Sequence, residues 1–198
     1  MDLKSIVDKR RAFRSLEKCA ITTDLIEDLA NTLKLAPSCF NNQPWNFVFV
    51  YDEEKLNEMH DSLAKGNEWA RKGSMIVAVF ARKESDCTIK IREYFLFDTG
   101  MATAYLILRA TELGLVAHPI AGYSHKKVRE ILNIPEGNIV IALVIIGKKS
   151  DSLNPALSEN QIKDEKQRPQ RKNNELFIHQ NYYKDIADKE QNGYIEDR

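Results

Sequence analysis

Residues 36–47 read APSCFNNQPWNF and join a helical pattern to a strand pattern. Upstream, residues 22–24 (TTD) offer helix N-caps, and apolar residues then recur at helical spacing until Pro37. Downstream, residues 46–51 (NFVFVY) are apolar and rich in β-forming side chains, which predicts a buried strand. The string therefore marks a helix-to-strand connection that is crowded with side-chain amides.

These amides have two interpretations. An amide donates and accepts at once, which suits the edge of a heterocycle with alternating donors and acceptors, such as an isoalloxazine ring. Asn-Asn and Gln-Pro are also common in turns, and an isolated NNQP would favour a turn. The whole run over residues 36–46 is much rarer by chance than its parts.

The rest of the chain alternates between helical and strand patterns. Residues 91–113 are apolar nearly all round and end at Gly114, which predicts a long helix buried at the centre. Further helices are predicted over residues 3–11, 53–65 and 124–132, and further strands over residues 75–81 and 139–146. The pattern indicates one α+β domain.

Beyond Gly147 the composition becomes strongly polar. We expect a core over residues 1–150 and an extension over residues 151–198 that packs on a partner subunit, with the last ~15 residues mobile. The apolar residues that could anchor the extension are Leu176, Phe177, Ile178, Tyr182 and Tyr183.

Composition excludes several classes of partner. Lys plus Arg and Asp plus Glu number 29 each, so no net field attracts nucleic acid or an anionic membrane. The longest apolar run, residues 139–146, is too short to span a bilayer, and the N-terminus lacks the apolar region of a signal peptide. Cys19, Cys39 and Cys87 fit neither a disulfide framework nor a zinc site. We expect a protein of the reducing cytoplasm without a metal site.

Three further strings carry candidate chemistry. Residues 10–14 (RRAFR) would bring Arg10 and Arg14 together if the preceding helix continued, and forked donors suit phosphate; alternatively, the cations complement the helix dipole. Residues 117–123 (AHPIAGY) contain a Pro-x-x-Gly segment whose amide N–H groups could face a ligand. Residues 168–172 (RPQRK) could meet a phosphate or form a solvated charge run.

Other features argue against conventional catalytic sites. There is no GxGxxG after a strand, no P-loop, no HExxH, no GxSxG and no CxxC pair. Cys39 has no histidine or acidic residue near it in sequence, which favours a small buried thiol. His118 is interpreted as a structural hydrogen-bonding residue and is assigned no catalytic role.

Taken in order, these strings resemble the FMN-dependent nitroreductase family over about residues 6–183. RRAFR resembles the family's basic motif RRSxR, APSCFNNQPWNF its APSxxNxQPW motif, AHPIAGY its central Pro-x-x-Gly segment, IPEGNIVIALVIIGK (134–148) its turn and closing strand, and PQRKNNELF (169–177) its late basic motif. The resemblance implies a central, mostly antiparallel β-sheet flanked by helices with a long buried central helix. It also implies an intertwined homodimer with exchange of C-terminal arms.

The resemblance also implies a set of FMN contacts. The phosphate and ribityl end would be held by Arg10, Arg11 and Arg14, with Arg171 or Lys172 approaching from the C-terminal segment. Ser38, Asn41 and Gln43 would reach the flavin from the partner subunit, Asn67 and Arg71 would contact the ring, and Ala121 and Gly122 would face flavin N5 and the pyrimidine edge. Ala12, Pro37, Cys39, Pro119 and Ile120 complete the predicted site, with Tyr123 beside the ring.

The activity implied is ping-pong hydride transfer from NADH or NADPH through flavin N5 to a nitroaromatic, a quinone or a similar small acceptor. No protein side chain is then needed as a catalytic residue. Departures from the family pattern are Ala12 in place of serine, the short stretch at residues 82–90, and Ala121 in place of a larger or polar residue. The alternatives are a flavin-binding protein without turnover and a family member with dehalogenating or dehydrogenating activity.

Overall fold

A computed structural model describes residues 2–183. The helices are α1 (Leu3–Lys9), α2 (Thr23–Leu33), α3 (Glu53–His60), α4 (Tyr94–Glu112), α5 (His125–Ile131) and α6 (Glu159–Lys166). The strands are β1 (Leu16–Glu17), β2 (Trp45–Val50), β3 (Met75–Arg82), β4 (Thr88–Ile89), β5 (Arg92–Glu93), β6 (Val116–Ile120) and β7 (Asn138–Lys149). Short 3₁₀ turns lie at Cys39–Asn41, Glu68–Lys72, Lys83–Ser85 and Asn174–Leu176.

Side chains outside the helices fix where several of them begin. The N-cap side chains of Asp2, Thr22, Asp52 and Ser124 each accept a hydrogen bond from a backbone N–H in the first turn of the helix that follows. The predicted end of α4 is confirmed, because Gly114 follows it with φ of +79°, a conformation that suits glycine.

The central sheet is antiparallel at every pairing. Strand β7 pairs with β3, β6 and β1, and β2 adds to the other side of β3. Within residues 2–183, strand β6 pairs with β7 and with no other strand, so it is an edge strand, which is where Pro119 can be accommodated. The predicted mixed α+β fold with an antiparallel sheet is confirmed.

Helices cover both faces of this sheet, and each face has its own apolar cluster. Helices α2 and α4 pack on one face through a cluster that includes Leu29, Val77, Leu106 and Val144. The other face carries residues of α3 and α5 in a second cluster. Because both faces are buried, β3 and β7 are apolar almost throughout rather than alternating.

Several predicted boundaries were wrong. Helix α1 stops at Lys9 and α3 at His60, since the chain turns at both points, and α4 starts at Tyr94 because residues 88–93 form the β4–β5 hairpin. Strand β6 and helix α6 were missed, because each is short and carries polar residues.

Helix α4 is not buried all round within this chain. It buries one face, including Phe95, Asp98 and Leu106, while Leu96 and Phe97 remain 47% and 64% exposed. An apolar helix surface of this kind either stays in solvent or is covered by another chain.

The chain divides into two units, the first ending at Lys166 and the second beginning at Gln167. In the second unit, Phe177, Ile178, Tyr182 and Tyr183 are more than half exposed. The expectation of a mobile end falls on residues 184–198, which lie outside the described residues. Among the helices of residues 2–183, none is long and apolar enough to cross a membrane.

Candidate functional site

The basic segment at residues 10–14 is not helical. Arg10 ends α1 with ψ of 117°, so the helical spacing that would bring Arg10 and Arg14 together does not exist. The side chain of Arg11 donates through Nη2 to the carbonyl oxygens of Asp164 at 2.6 Å and Glu165 at 3.1 Å, at the end of α6. Arg11 therefore holds α6 against the segment.

Glu165 is a second anchor for the same segment. Its carboxylate accepts the backbone N–H of Arg14 and the backbone N–H of Ser15, both at 2.9 Å. The side chain of Arg14 lies 4.0 Å from the Asp164 carboxylate. Sequence reasoning missed Glu165, because it is one acidic residue in a polar stretch, yet only 7% of it is exposed.

His118 ties the basic segment to β6. Its Nδ1 lies 3.1 Å from the carbonyl oxygen of Phe13, and its ring stacks on Trp69 with 4.6 Å between centroids. Burial, with a smaller contribution from the positive charges of Arg14 and Arg10, lowers the pKa of His118 to about 4, although the hydrogen bond to Phe13 and the charge of Glu165 oppose this shift. The neutral ring donates from Nδ1 to Phe13, as a structural histidine does.

The segment after β6 is held by Asn67. The Gly122 carbonyl accepts from the Ala64 backbone N–H at 3.0 Å and from Asn67 Nδ2 at 2.9 Å. Asn67 Oδ1 in turn accepts from the Trp69 indole N–H at 3.3 Å. A Cβ on Gly122 would collide with the Asn67 amide, so glycine is required by this close approach.

The other predicted members of this region have separate environments. Arg71 is half exposed and lies 3.9 Å from the Asp61 carboxylate. Tyr123 donates through its hydroxyl to the Val140 carbonyl at 2.9 Å, and burial raises its pKa to about 12. These contacts show where the side chains lie; their part in ligand binding stays a prediction.

The amide-rich loop, residues 38–43, has an unusual backbone. Phe40, Asn41 and Gln43 all have positive φ, of 47°, 58° and 50°. Ser38 Oγ accepts the Gln43 backbone N–H at 3.0 Å, and Gln43 Nε2 donates to the Asn41 carbonyl at 3.2 Å. Asparagine tolerates positive φ in turns, whereas the same conformation at Phe40 is strained, and the part of this loop in ligand binding stays a prediction.

The expectation that no cysteine forms a disulfide was wrong for two of the three. Cys39 and Cys87 are joined by a disulfide bond across 48 residues of sequence, with Cα atoms 6.2 Å apart. The loop folds back onto the chain before β4, and this meeting depends on tertiary structure that spacing does not reveal. Cys19 is the cysteine outside this bond.

Two carboxyl groups accompany the disulfide. Asp98 of α4 accepts the Cys39 backbone N–H at 2.6 Å and is 1% exposed. Burial, together with the neighbouring Asp86, raises the pKa of Asp98. Asp86 accepts the Cys87 backbone N–H at 2.8 Å and the Asn42 side-chain amide at 3.2 Å.

The amide-rich loop and the segment after β6 lie at opposite edges of the sheet. The loop leads into β2, where Trp45 pairs with Ala81 of β3, and Ala81 pairs with Ile139 of β7. On the far side of β7, strand β6 leads into the glycine-containing segment. Three interstrand steps thus separate β2 from β6, about 14 Å between the two strands of one chain.

The remaining predicted site residues differ in their exposure. Ala12 is half-buried within the basic segment, and Pro37 is exposed at the start of the loop. Arg171 and Lys172 are exposed residues of the second unit. A surface groove lined by Val50, Lys55 and Leu132, among others, contains none of the predicted site residues.

The antiparallel sheet between helical layers defines a mixed α+β protein, and at one edge of the sheet the cationic segment is hydrogen-bonded to strand β6. The chain belongs to the nitroreductase family, whose model matches residues 7–73 and 61–148. The predicted family resemblance is confirmed, and membership indicates an oxidoreductase.

Individual relatives agree with this assignment. An Archaeoglobus fulgidus protein named as an NADH dehydrogenase/NAD(P)H nitroreductase is 30% identical over 146 residues, covering 72% of this chain and 82% of the relative. An iodotyrosine deiodinase of Haliscomenobacter hydrossis is 25% identical over 169 residues, covering 71% of this chain and 76% of the relative. A solved oxidoreductase structure containing FMN has a TM-score of 0.71 and 27% identity, covering 83% of this chain and 84% of the other.

Proposed function

We propose that this chain is an FMN-dependent oxidoreductase that takes electrons from NADH or NADPH and passes them to a small acceptor such as a nitroaromatic or a quinone. The observation that carries the proposal is the His118–Phe13 hydrogen bond within a nitroreductase-family fold. This bond joins the cationic segment to β6, the strand that leads into the glycine segment, and the two segments offer the environments that a phosphate and a flavin ring require.

The donor set is suited to the phosphate end of FMN. Arg10 and Arg14 are both half-buried, and both lie close enough to His118 for their charges to lower its pKa. Arg11 donates instead to the carbonyl groups that end α6, so we assign it to holding the segment in place. Partly buried guanidinium groups form strong charge-assisted hydrogen bonds with phosphate oxygens.

The glycine segment is suited to the ring. The Gly122 carbonyl is already occupied by Ala64 and Asn67, so the N–H side of residues 121 and 122 would face a ligand. Absence of a side chain at Gly122 lets Asn67 approach, and the hydrogen bond from Asn67 Nδ2 then holds the Gly122 carbonyl. When bound, FMN would supply the hydride chemistry, while these residues bind it, orient it and exclude water.

We further propose a homodimer in which the amide-rich loop of one chain completes the site of the other. The support is the separation of about 14 Å between β2, which follows the loop, and β6, which leads into the glycine segment, across the sheet of one chain. A second support is the exposure of large apolar side chains that a dimer interface could bury: Ile91 is 95% exposed, Phe40 88% and Phe97 64%. Exchange of the C-terminal arms and a cytoplasmic location remain part of this proposal.

One alternative has a specific observation behind it. The similarity to an iodotyrosine deiodinase makes reductive dehalogenation the second candidate activity. A third candidate is a flavin-binding protein that does not turn over NAD(P)H. Both would share the cofactor site and differ in the electron donor and acceptor.

The experiment that tests the site is reconstitution of the purified chain with FMN, followed by separation of the free cofactor and sedimentation of the complex. We expect submicromolar affinity, one FMN per chain and a dimeric complex. A monomer that retains stoichiometric FMN would contradict the shared site, and failure to bind under all conditions would overturn the cofactor assignment.

A further inference from the structure

We propose that Cys39 and Cys87 form a reversible thiol–disulfide site that fastens the amide-rich loop to the chain before β4. Both cysteines are partly exposed, so small thiols can reach them. Persistent disulfides are rare in reducing compartments, where those found are mostly catalytic or redox-sensing. Exposed disulfides are also the ones that exchange with small thiols, so this partly exposed pair is suited to reversible exchange.

Polar groups around the disulfide determine which sulfur is attacked and which one leaves. Asn42 Nδ2 lies 3.4 Å from Cys87 Sγ and can donate to a thiolate there. The backbone N–H of Cys39 is instead bound to the Asp98 carboxyl group. Since the better-stabilised sulfur leaves more readily, an incoming thiolate is expected to attack Cys39 Sγ and release Cys87.

Reduction of the Cys39–Cys87 bond needs two equivalents of a small-molecule thiol and no other reactant. A small-molecule thiolate forms a bond to Cys39 Sγ, the Cys39–Cys87 bond breaks, and Cys87 takes the electron pair as a thiolate. A second thiol then attacks the mixed disulfide, releases Cys39 and forms the small-molecule disulfide. In total, two thiols lose two electrons and two protons, which the two cysteines gain. An Asp86 carboxylate oxygen lies within 4.8 Å of both sulfurs.

The bond matters because of the loop that it holds. Phe40, Asn41 and Gln43 adopt positive φ, a conformation that persists only where surrounding contacts enforce it. Reduction removes the covalent contact and leaves the Cys39–Asp98 and Ser38–Gln43 hydrogen bonds. We expect the loop to open more often in the reduced protein. Any effect on FMN retention rests on the proposed function, whereas the thiol chemistry does not.

The test equilibrates the full-length protein, with and without FMN, in buffers of varied reduced-to-oxidised glutathione ratio. Alkylation and peptide mass mapping then report each cysteine separately, with Cys19 as the internal control. We expect Cys39 and Cys87 to become alkylated together as the ratio rises, while Cys19 is alkylated at every ratio. Amide hydrogen exchange over residues 39–43 should be about tenfold faster in the reduced protein.

Two results would overturn the proposal: both cysteines alkylated even in fully oxidised glutathione, or a pair that no glutathione ratio reduces in the folded protein. A Cys87→Ser variant provides the matched control, because it should show the fast exchange at every ratio. If the pair titrates but FMN never binds, the thiol site stands and the cofactor assignment falls.

Discussion

His118 donates from Nδ1 to the carbonyl oxygen of Phe13 across 3.1 Å, and this contact joins edge strand β6 to the basic segment. The ring is buried between Trp69 and that segment, with Arg10 and Arg14 close enough to disfavour its protonation. A neutral histidine is therefore part of the folded state. Protonating it would place a further charge beside two arginines.

Acid should destabilise the protein through this histidine. The pKa of His118 falls from 6.5 in the unfolded chain to about 4 in the folded protein, so its stabilising contribution is full above 6.5 and is lost as the pH falls towards 4. We expect this loss to reach about 3 kcal/mol near pH 4. Urea unfolding of the wild type and of His118→Asn, at neutral and at acidic pH, measures it.

The variant should lose less stability on acidification than the wild type. His60, whose pKa burial also lowers to about 4, is present in both proteins and cancels in the comparison. Identical pH dependence in the two proteins would show that His118 is not held neutral by the fold.

The arginines should separate into two roles. Arg10→Ala or Arg14→Ala is expected to weaken FMN retention by roughly 1.5–3 kcal/mol, the usual value for a hydrogen bond to a charged group. Arg11→Ala is expected to lower the free energy of unfolding of the apoprotein, since it removes the hydrogen bonds to Asp164 and Glu165. FMN titration and urea unfolding of all three variants measure both quantities. Unchanged FMN affinity in the Arg10 and Arg14 variants would overturn their assignment to the phosphate.

Asp98 should tolerate asparagine but not alanine. Its pKa is raised, mainly by burial, so ionisation at neutral pH costs stability, and stability is lost as the pH rises through the folded pKa. Asp98→Asn keeps an acceptor for the Cys39 N–H and should be neutral or stabilising at neutral pH. Asp98→Ala leaves that N–H unpaired and should cost about 1–3 kcal/mol. Thermal unfolding ranks the three proteins, and an alanine variant as stable as the asparagine variant would contradict the hydrogen bond.

Gly122 and Asn67 should be energetically coupled. Gly122→Ala drives the new methyl group into the Asn67 amide and breaks its bond to the Gly122 carbonyl. In an Asn67→Ala background the same change should cost less, giving a coupling energy of about 1 kcal/mol or more in a double-mutant cycle. If the two substitutions have additive effects on the free energy of unfolding, the contact between residue 122 and Asn67 does not contribute to stability.

The sequence predicted those elements that have a strong local signal. The apolar runs of β3 and β7, the caps of α2 and α5, and Gly114 after α4 all follow from periodicity and capping chemistry. Strand β6 could not be predicted in this way, because His118 and Pro119 interrupt its apolar pattern. Its extended conformation is stabilised by pairing with β7, which is distant in sequence.

The motifs predicted which segments to consider as a site, and their part in ligand binding stays a prediction. The contacts within and around these segments could not be predicted, because the carboxylate of Glu165 and the bond between Cys39 and Cys87 join positions 150 and 48 residues apart. Such pairings arise from the sheet order, which a single sequence does not contain.

We propose that this chain binds FMN and passes electrons from NAD(P)H to an acceptor. The most direct measurement is the visible absorption spectrum of the FMN-loaded protein under anaerobic conditions, before and after addition of NADPH or NADH. We predict a flavin spectrum that bleaches with one or both donors and returns when a nitroaromatic or a quinone is added. A bound flavin that neither donor bleaches would contradict the oxidoreductase assignment.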